Sequence, residues 1–112
     1  MNNFDNEEDK LEVLRKIQKN PKSSQRELAS DLGFSLGKLN YCMKALKQKG
    51  LIKINNFNKN PNKSGYVYLL TPKGFGAKAK LTLNFMKRKM REYDELQKEY
   101  QKLKQNKNVD SD

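Results

Sequence analysis

The sequence predicts a mainly α-helical fold with one small β-hairpin, followed by a long C-terminal helix. Three observations support this prediction. Apolar residues recur at three- and four-residue steps before Gly50, which is the spacing of amphipathic helices. Two β-favouring runs, LIKINNF and YVYLL, flank the polar stretch NKNPNKSG, a pattern typical of a hairpin. No proline or glycine follows Gly76, so a single helix can continue from there.

The first helix is predicted from about Asn6 to Lys19. Its apolar stripe is formed by Leu11, Leu14 and Ile17, which repeat at three-residue steps, and Val13 widens it. The pair Asn20-Pro21 ends the helix, because a residue before proline disfavours helical backbone.

Two further helices are predicted next, joined by a tight turn. The second starts at Ser24, because SQRE places Glu27 three residues after a capping serine. Gly33 ends it, since glycine readily adopts left-handed backbone. Ser35 caps the third helix, which closes at Gly50. Such a pair forms a helix-turn-helix, whose second helix enters the major groove of DNA. With the hairpin as a wing, the sequence predicts a winged helix-turn-helix.

The C-terminal segment carries apolar residues at coiled-coil spacing. They are Leu83, Met86, Met90, Tyr93, Leu96, Tyr100 and Leu103. A seam of this length extends beyond a small domain, so a second copy of the chain is the expected partner and a homodimer is predicted. The alternative is a charged, frayed tail, because Lys89 and Gln97 interrupt the seam.

These patterns divide the chain into four predicted segments. Residues 1–5 are predicted to be a disordered N-terminus and residues 6–76 a winged helix-turn-helix domain. Residues 77–104 are predicted to form the dimerisation helix, and residues 105–112 a disordered tail.

The net charge of the chain and its distribution indicate which kind of partner it binds. The 112 residues include 24 Lys and Arg against 13 Asp and Glu, a formal net charge of +11. The span from Leu32 to Arg91 contains 14 of the basic residues and no acidic residue. A field of this kind attracts polyanions, either nucleic acid or an anionic membrane surface.

Composition disfavours several other classes of protein. Cys42 is the only cysteine and histidine is absent, which argues against a disulfide or a zinc site. No apolar run approaches the roughly 20 residues needed to cross a bilayer, and no signal peptide is recognisable. Motifs typical of catalytic sites are also missing. We therefore expect a cytoplasmic protein that is not an enzyme, with no metal, cofactor or membrane partner.

Double-stranded DNA is the expected partner, and the candidate contacts lie on three elements. On the third helix they are Ser35, Gly37, Lys38, Asn40, Tyr41 and Lys44. Asn can pair with an adenine edge and Lys with guanine. At the start of the second helix they are Ser24, Gln25 and Arg26, positioned for the phosphate backbone. In the wing they are Asn58, Lys59, Asn62 and Lys63, which suit a minor groove or its phosphates.

Each of these assignments has a simpler alternative. The polar side of the third helix fits a solvated face, and Ser24 is also a helix cap. Lysines at a sheet edge also discourage aggregation. Cys42 on the third helix suggests a redox switch, but its place beside the apolar stripe favours a buried, inert thiol.

The runs SQRELASDLGFSLGKLNYCMKALKQKGLIK and YLLTPKG resemble the MarR-type winged-helix regulators. The stretches SLGKLNYCMKALKQKG and YLLTPKG are similar to a small subfamily associated with exopolysaccharide gene clusters. This resemblance covers about residues 10–100 and implies a transcriptional regulator. Larger MarR proteins have additional N-terminal helical sequence that helps to build a ligand pocket. This chain begins close to its first helix, so no small-molecule effector is assigned.

The leading hypothesis is a homodimeric, sequence-specific DNA-binding regulator on a near-palindromic operator. A protein-interaction adaptor is the main alternative, since winged helices also serve as docking modules. A plasmid- or phage-type replication or partition protein is a third hypothesis, and it would use the same DNA-contacting residues. Sequence does not distinguish repression from activation, and it does not identify the target genes.

Overall fold

The computed structural model describes residues 6–56 and 66–110. Within them the elements follow in the order α1 (Glu7–Lys19), α2 (Gln25–Leu32), α3 (Leu36–Gln48), β1 (Ile52–Asn56), β2 (Tyr66–Leu70) and α4 (Pro72–Asp110). The chain divides into two units, Met1–Leu81 and Thr82–Asp112. The predicted fold class, a winged helix-turn-helix followed by a long C-terminal helix, is confirmed.

Helix α1 begins directly after Asn6, whose side-chain oxygen accepts a hydrogen bond from the Glu8 N–H at 2.9 Å. This bond satisfies one of the free N–H groups of the first turn. Leu11, Leu14 and Ile17 are buried. The apolar stripe predicted from their spacing is therefore confirmed.

The turn between α2 and α3 uses the predicted capping residues. Ser24 and Glu27 form a reciprocal capping box, with N···O distances of 3.0 and 3.1 Å. Gly33 ends α2 with a φ of 70°, a left-handed conformation that costs glycine little. Ser35 then accepts a hydrogen bond from the Lys38 N–H at 3.1 Å. These local bonds set where one helix ends and the next begins.

Strands β1 and β2 form an antiparallel hairpin in which Ile52 faces Leu70 and Ile54 faces Tyr68. Ile52, Tyr68 and Leu70 are buried on the inner face. The Tyr68 N–H donates to the Pro21 carbonyl at 3.0 Å, so β2 is also attached to the turn after α1. The hairpin therefore packs against the helices through one face.

The core of the first unit is a single apolar cluster drawn from α1, α2, α3 and both strands. Its fully buried members include Val13, Leu14, Ile17, Leu28, Leu39, Cys42, Met43 and Leu46. Ala77 and Leu81, from the first part of α4, pack against the same cluster. This packing holds α3 by one face and leaves the opposite face to solvent.

Helix α4 begins at Pro72 rather than at residue 77, because of contacts that the sequence pattern does not reveal. The Thr71 hydroxyl donates to the Gly50 carbonyl at 2.5 Å and accepts from the Gly74 N–H at 3.0 Å. The Thr71 N–H donates to the Leu51 carbonyl at 3.0 Å. A Cβ on Gly74 would lie 1.9 Å from the Leu51 oxygen. Glycine is therefore required for close backbone approach, and it does not interrupt the helix.

Helix α4 also extends beyond its predicted end. Residues 105–110, which the sequence assigned to a disordered tail, are helical, and α4 ends at Asp110. This segment contains no glycine or proline, so nothing in it breaks the helix. Within the described residues, no helix is long and apolar enough to cross a membrane.

Candidate nucleic-acid interface

The exposed face of α3 contains most of the predicted base-contacting residues. Gly37, Asn40, Tyr41 and Lys44 are all exposed. The opposite face is buried and consists of Leu39, Cys42, Met43 and Leu46. Because the core covers only that apolar side, the polar side chains of α3 remain accessible. The structure thus brings four of the predicted residues onto one surface.

Ser35 lies at the N-terminal end of this face and is exposed. Its oxygen accepts from the Lys38 N–H at 3.1 Å, and a hydroxyl that accepts one bond still has a hydrogen to donate. The first turn of α3 contains no acidic residue. No acidic residue of α3 itself therefore offsets the positive end of the helix dipole, which suits a phosphate oxygen.

Lys38 differs from the other candidates because it is held within the chain. Its ammonium lies 3.0 Å from the Asp9 carboxylate and 4.1 Å from the centroid of the Phe34 ring. Asp9 belongs to α1, so the ion pair connects α1 to the start of α3. The Asp9 carboxylate therefore holds and partly neutralises the Lys38 ammonium, whereas Lys44 is exposed.

The start of α2 presents the three residues predicted for backbone contact. Arg26 is exposed, while Ser24 and Gln25 are partly buried. Hydrogen bonds from the Ser24 backbone N–H and its side chain lower the pKa of Glu27. Ser24 thus acts as a cap, which is one of its two predicted roles, and Arg26 is the most accessible of the three.

The four wing candidates, Asn58, Lys59, Asn62 and Lys63, lie outside the described residues, which omit residues 57–65. The strands that lead into and out of this segment are described, and Asn56 pairs with Tyr66. A DNA contact by the wing stays a prediction.

Leu36 is a surface residue that sequence reasoning did not select. It opens α3 and is 44% exposed. Its spacing placed it at the margin of the apolar stripe, and spacing alone does not distinguish a margin from the core. Apolar side chains contact the methyl group of thymine in the major groove. Leu36 therefore joins Tyr41 as a candidate for such contacts.

Cys42 is fully buried on the core side of α3. Burial raises the pKa of its thiol, and the negative charge of Asp9 raises it further, while Lys38 acts in the opposite direction. A protonated, inaccessible thiol reacts slowly with oxidants. The interpretation of Cys42 as a core residue is confirmed. Among the described residues, no group of three His, Cys, Asp or Glu side chains is placed to hold a metal ion.

The predicted dimerisation residues form an exposed series along α4. Their side chains are between 47% and 67% exposed, from Leu83 to Leu103. The Gln97 amide donates to the Tyr93 hydroxyl at 2.6 Å, which joins an interrupting polar residue to the seam. Apolar side chains in such a regular series are typical of a helix that packs against another.

Comparison with known proteins supports the fold assignment. Residues 10–53 match a family described as winged helix-turn-helix DNA-binding. The chain folds as a winged helix-turn-helix. Comparison with curated protein sequences finds no match.

Solved structures of MarR-family regulators share this fold. Staphylococcus aureus MarR, in complex with salicylate and kanamycin, has a TM-score of 0.62 at 22% identity, over 78% of this chain and 57% of that one. A mutant of S. aureus MepR has a TM-score of 0.65 at 17% identity, over 95% of this chain and 78% of that one. The repressor CouR, bound to a 23-mer DNA duplex, has a TM-score of 0.55 at 25% identity, over 64% of this chain and 49% of that one. The chain spans about half the length of MarR and CouR.

Proposed function

We propose that this protein is a sequence-specific, double-stranded DNA-binding transcriptional regulator. The observation that carries the proposal is the exposed polar face of α3, held in place by a buried apolar face and two serine-capped helix starts. In winged helix-turn-helix proteins this helix is the one that enters the major groove. The match to a DNA-binding family over residues 10–53 supports this assignment.

Charge supports DNA over other partners of a winged helix. The span from Leu32 to Arg91 contains no acidic residue, so the α3 face and the hairpin lie in a uniformly basic segment. Duplex DNA carries about one negative charge per 1.7 Å of its axis. An adaptor for another protein has no comparable need for an unbroken cationic segment.

Base recognition is proposed for Asn40, Tyr41 and Lys44. Asn40 offers a bidentate amide for adenine, and Lys44 offers donors for guanine O6 and N7. Arg26 and Ser35 are proposed to contact phosphates, which position the protein without reading sequence. Lys59 and Lys63 in the wing are proposed to add contacts of the same kind.

The functional unit is proposed to be a homodimer that forms through α4 and binds a near-palindromic operator. The exposed apolar series from Leu83 to Leu103 supports this. A two-fold dimer presents two recognition helices to half-sites about 34 Å apart, or a multiple of that distance. Control of exopolysaccharide-related genes is proposed from the sequence resemblance alone, and a cytoplasmic location follows from a role in transcription.

Two experiments test this proposal. Selection of bound fragments from the source genome should return one near-palindromic motif. A titration against that site should show log K falling with log salt at a slope near −5 or steeper, if six or more phosphates are neutralised at about −0.9 each.

A scrambled duplex of equal length is the control for this titration, and it should retain the salt dependence while losing affinity. An absence of binding at low salt, or an affinity that salt does not change, would exclude the DNA function and favour the adaptor. Recovery of a replication origin or partition locus would favour the replication or partition hypothesis.

A further inference from the structure

Charges are segregated along the second unit of the chain, residues 82–112. Four basic residues occupy the stretch 87–91, with no acidic residue among them: Lys87, Arg88, Lys89 and Arg91. Four acidic residues follow within 92–99, where the only basic residue is Lys98: Glu92, Asp94, Glu95 and Glu99. We call these stretches the basic block and the acidic block. Both are exposed.

Within one helix these two blocks are paired only in part. Only residues three or four apart face each other on a helix, and Lys89 and Glu92 form such a pair at 3.5 Å, with both side chains 57% exposed. Lys87 and Asp94 are separated by about 10 Å along the axis, at 1.5 Å per residue. Lys87 has no acidic residue three or four positions away. Asp94 has Arg91 and Lys98 at such positions, but among the described residues it forms no ion pair. Both charges are therefore available to another molecule.

The apolar seam crosses both blocks. Strict alternation of three- and four-residue steps, the a/d spacing of a helix pair, is kept by Leu83, Met86, Met90, Tyr93, Gln97 and Tyr100. In this series Gln97 takes a seam position, and Leu96 and Leu103 lie beside the seam. The apolar members are between 47% and 61% exposed. Gln97 belongs to this series and is bonded to Tyr93 at 2.6 Å.

We propose that residues 83–100 of two copies of this chain pair antiparallel along this seam, with the two-fold axis between Arg91 and Glu92. The proposal rests on the homodimer proposed above and assigns its interface and orientation. In this register Leu83 meets Tyr100 of the partner subunit, Met86 meets Gln97 and Met90 meets Tyr93. The central contact places a methionine sulfur against an aromatic ring, which is a favourable contact.

The charge blocks favour this orientation over the parallel one. An antiparallel pair places the basic block of each copy beside the acidic block of the other. An in-register parallel pair places each block beside the identical block of the other copy, at a cost in electrostatic repulsion, and leaves Lys87 beside Thr82 of the partner subunit rather than beside an acidic residue. Lys87 and Asp94 each directly follow a seam residue, Met86 and Tyr93. These flanking positions meet across an antiparallel pair, so Lys87 lies beside Asp94 of the partner subunit.

Charge reversal at these two positions tests the orientation. Lys87→Glu and Asp94→Lys, each alone, should raise the dimer dissociation constant about 3- to 10-fold, since each removes two symmetry-related exposed ion pairs. The double variant should return to within about twofold of the wild type, because the same two pairs form with their signs exchanged. Sedimentation equilibrium measures all four proteins. In a parallel pair Lys87 does not meet Asp94, so failure of the double variant to recover would overturn the proposal.

Cysteine cross-linking provides a second, independent readout. Leu83→Cys and Tyr100→Cys are prepared as separate variants and oxidised alone and as a mixture. Antiparallel pairing predicts a disulfide between residues 83 and 100 in the mixture, identified by peptide mass spectrometry, and none in either variant alone. Wild-type protein is the control, because its Cys42 is fully buried.

The other outcomes overturn the proposal in different ways. Cross-linking of each variant with itself would show a parallel dimer and reverse the orientation. No cross-link in any sample would exclude this seam as the interface. If the wild-type chain also sediments as a monomer at micromolar concentration, the homodimer itself is excluded. DNA binding is measured in separate titrations, so these results do not depend on the regulator function.

Discussion

Helix α3 and the part of α4 beyond Leu81 are both amphipathic, but their apolar faces have different environments. Leu39, Cys42 and Leu46 on α3 are fully buried. Met90 and Tyr93 on α4 are 59% and 61% exposed. The comparison shows that the accessible face of α3 is polar because the core already covers its apolar side. The apolar face of α4 is accessible because nothing in the described part of the second unit covers it.

This difference predicts separate roles for the two helices. The polar face of α3 suits the edges of bases, which are hydrogen-bond donors and acceptors. The apolar face of α4 suits another protein surface, since burial of apolar area stabilises association. Five sets of changes to the chain test the roles of these helices and the packing that positions them.

Truncation after Leu81 should have the largest effect. Leu81 packs against the core, so this end point preserves the first unit and removes the seam. The truncated chain should be a folded monomer whose affinity for a palindromic site is lower by ~10² to 10⁴, because two linked half-site contacts become one. Analytical ultracentrifugation and a DNA titration measure the two properties.

Circular dichroism and thermal unfolding are the controls for the truncated protein, which should retain a cooperative transition. Equal DNA affinity in the truncated and full-length proteins would show that α4 does not contribute to DNA binding. The separation of roles between α3 and α4 would then fail.

Gly74→Ala tests how the first turn of α4 is held on the first unit. The new Cβ would lie 1.9 Å from the Leu51 oxygen, so backbone must shift, at a cost on the order of 1–3 kcal/mol in the free energy of unfolding. Gly76→Ala is the matched control. No atom lies within 4 Å of its added Cβ, and alanine in a helix should stabilise by about 0.5–1 kcal/mol. Urea unfolding of both variants should therefore show opposite signs.

Asn40→Ala and Lys44→Ala test the polar face of α3. Each should cost about 1–3 kcal/mol at the selected site and relax base preference at one position. Lys59→Ala and Lys63→Ala, if these residues contact phosphates, should weaken binding to all sequences alike. Repeated selection with each variant measures the motif. An unchanged motif for Asn40→Ala and Lys44→Ala would show that this face does not read bases.

Lys38→Ala sharpens the same test, because the Lys38 ammonium is already paired with Asp9 at 3.0 Å. We expect a smaller loss of DNA affinity than for Lys44→Ala, since Asp9 already holds the Lys38 ammonium and offsets its charge. Asp9→Asn is the companion variant, and it should raise DNA affinity if Lys38 is then able to reach the DNA. A loss for Lys38→Ala equal to that for Lys44→Ala would show that the pair does not restrain Lys38.

The smallest effect is expected from the capping box of α2. The pKa of Glu27 is lowered in the folded protein by hydrogen bonds from Ser24. A carboxyl group whose pKa is lower in the folded protein stabilises the fold at pH values above its pKa in the unfolded chain. This contribution is lost as the pH falls through its pKa in the folded protein. The thermal midpoint of the wild type should therefore decrease relative to that of Glu27→Gln between about pH 7 and about pH 3. If the thermal midpoints of the wild type and of Glu27→Gln change equally with pH, this contribution is excluded.

Sequence patterns within a few residues predicted most helix and strand positions of the first unit. The capping serines, Ser24 and Ser35, and the left-handed Gly33 act through bonds to residues at most four positions away, so the pattern alone locates the helix boundaries. The two β-favouring runs likewise located β1 and β2. Most of the α3 face was predictable for the same reason, because one apolar stripe determines which side remains polar.

The features that the sequence pattern did not reveal depend mostly on residues far apart in the chain. Gly74 was expected to precede the helix, since glycine usually disfavours helix interiors, and its contact with Leu51 appears only when the chain is folded. Lys38 was grouped with Asn40 and Lys44, because spacing does not show that Asp9 of α1 lies beside it. Leu36 was left at the margin of the stripe, although it is 44% exposed.

The sequence by itself determined the element order, the helix caps and the winged helix-turn-helix class, because these depend on hydrogen bonds and periodicity within a few residues. It also determined the basic character of the segment from Leu32 to Arg91. The tertiary structure alone decided where α4 begins and that Lys38 is paired within the chain. Both depend on the approach of distant backbone and side chains, Leu51 to Gly74 and Asp9 to Lys38, which is set only when the shared core of the first unit packs.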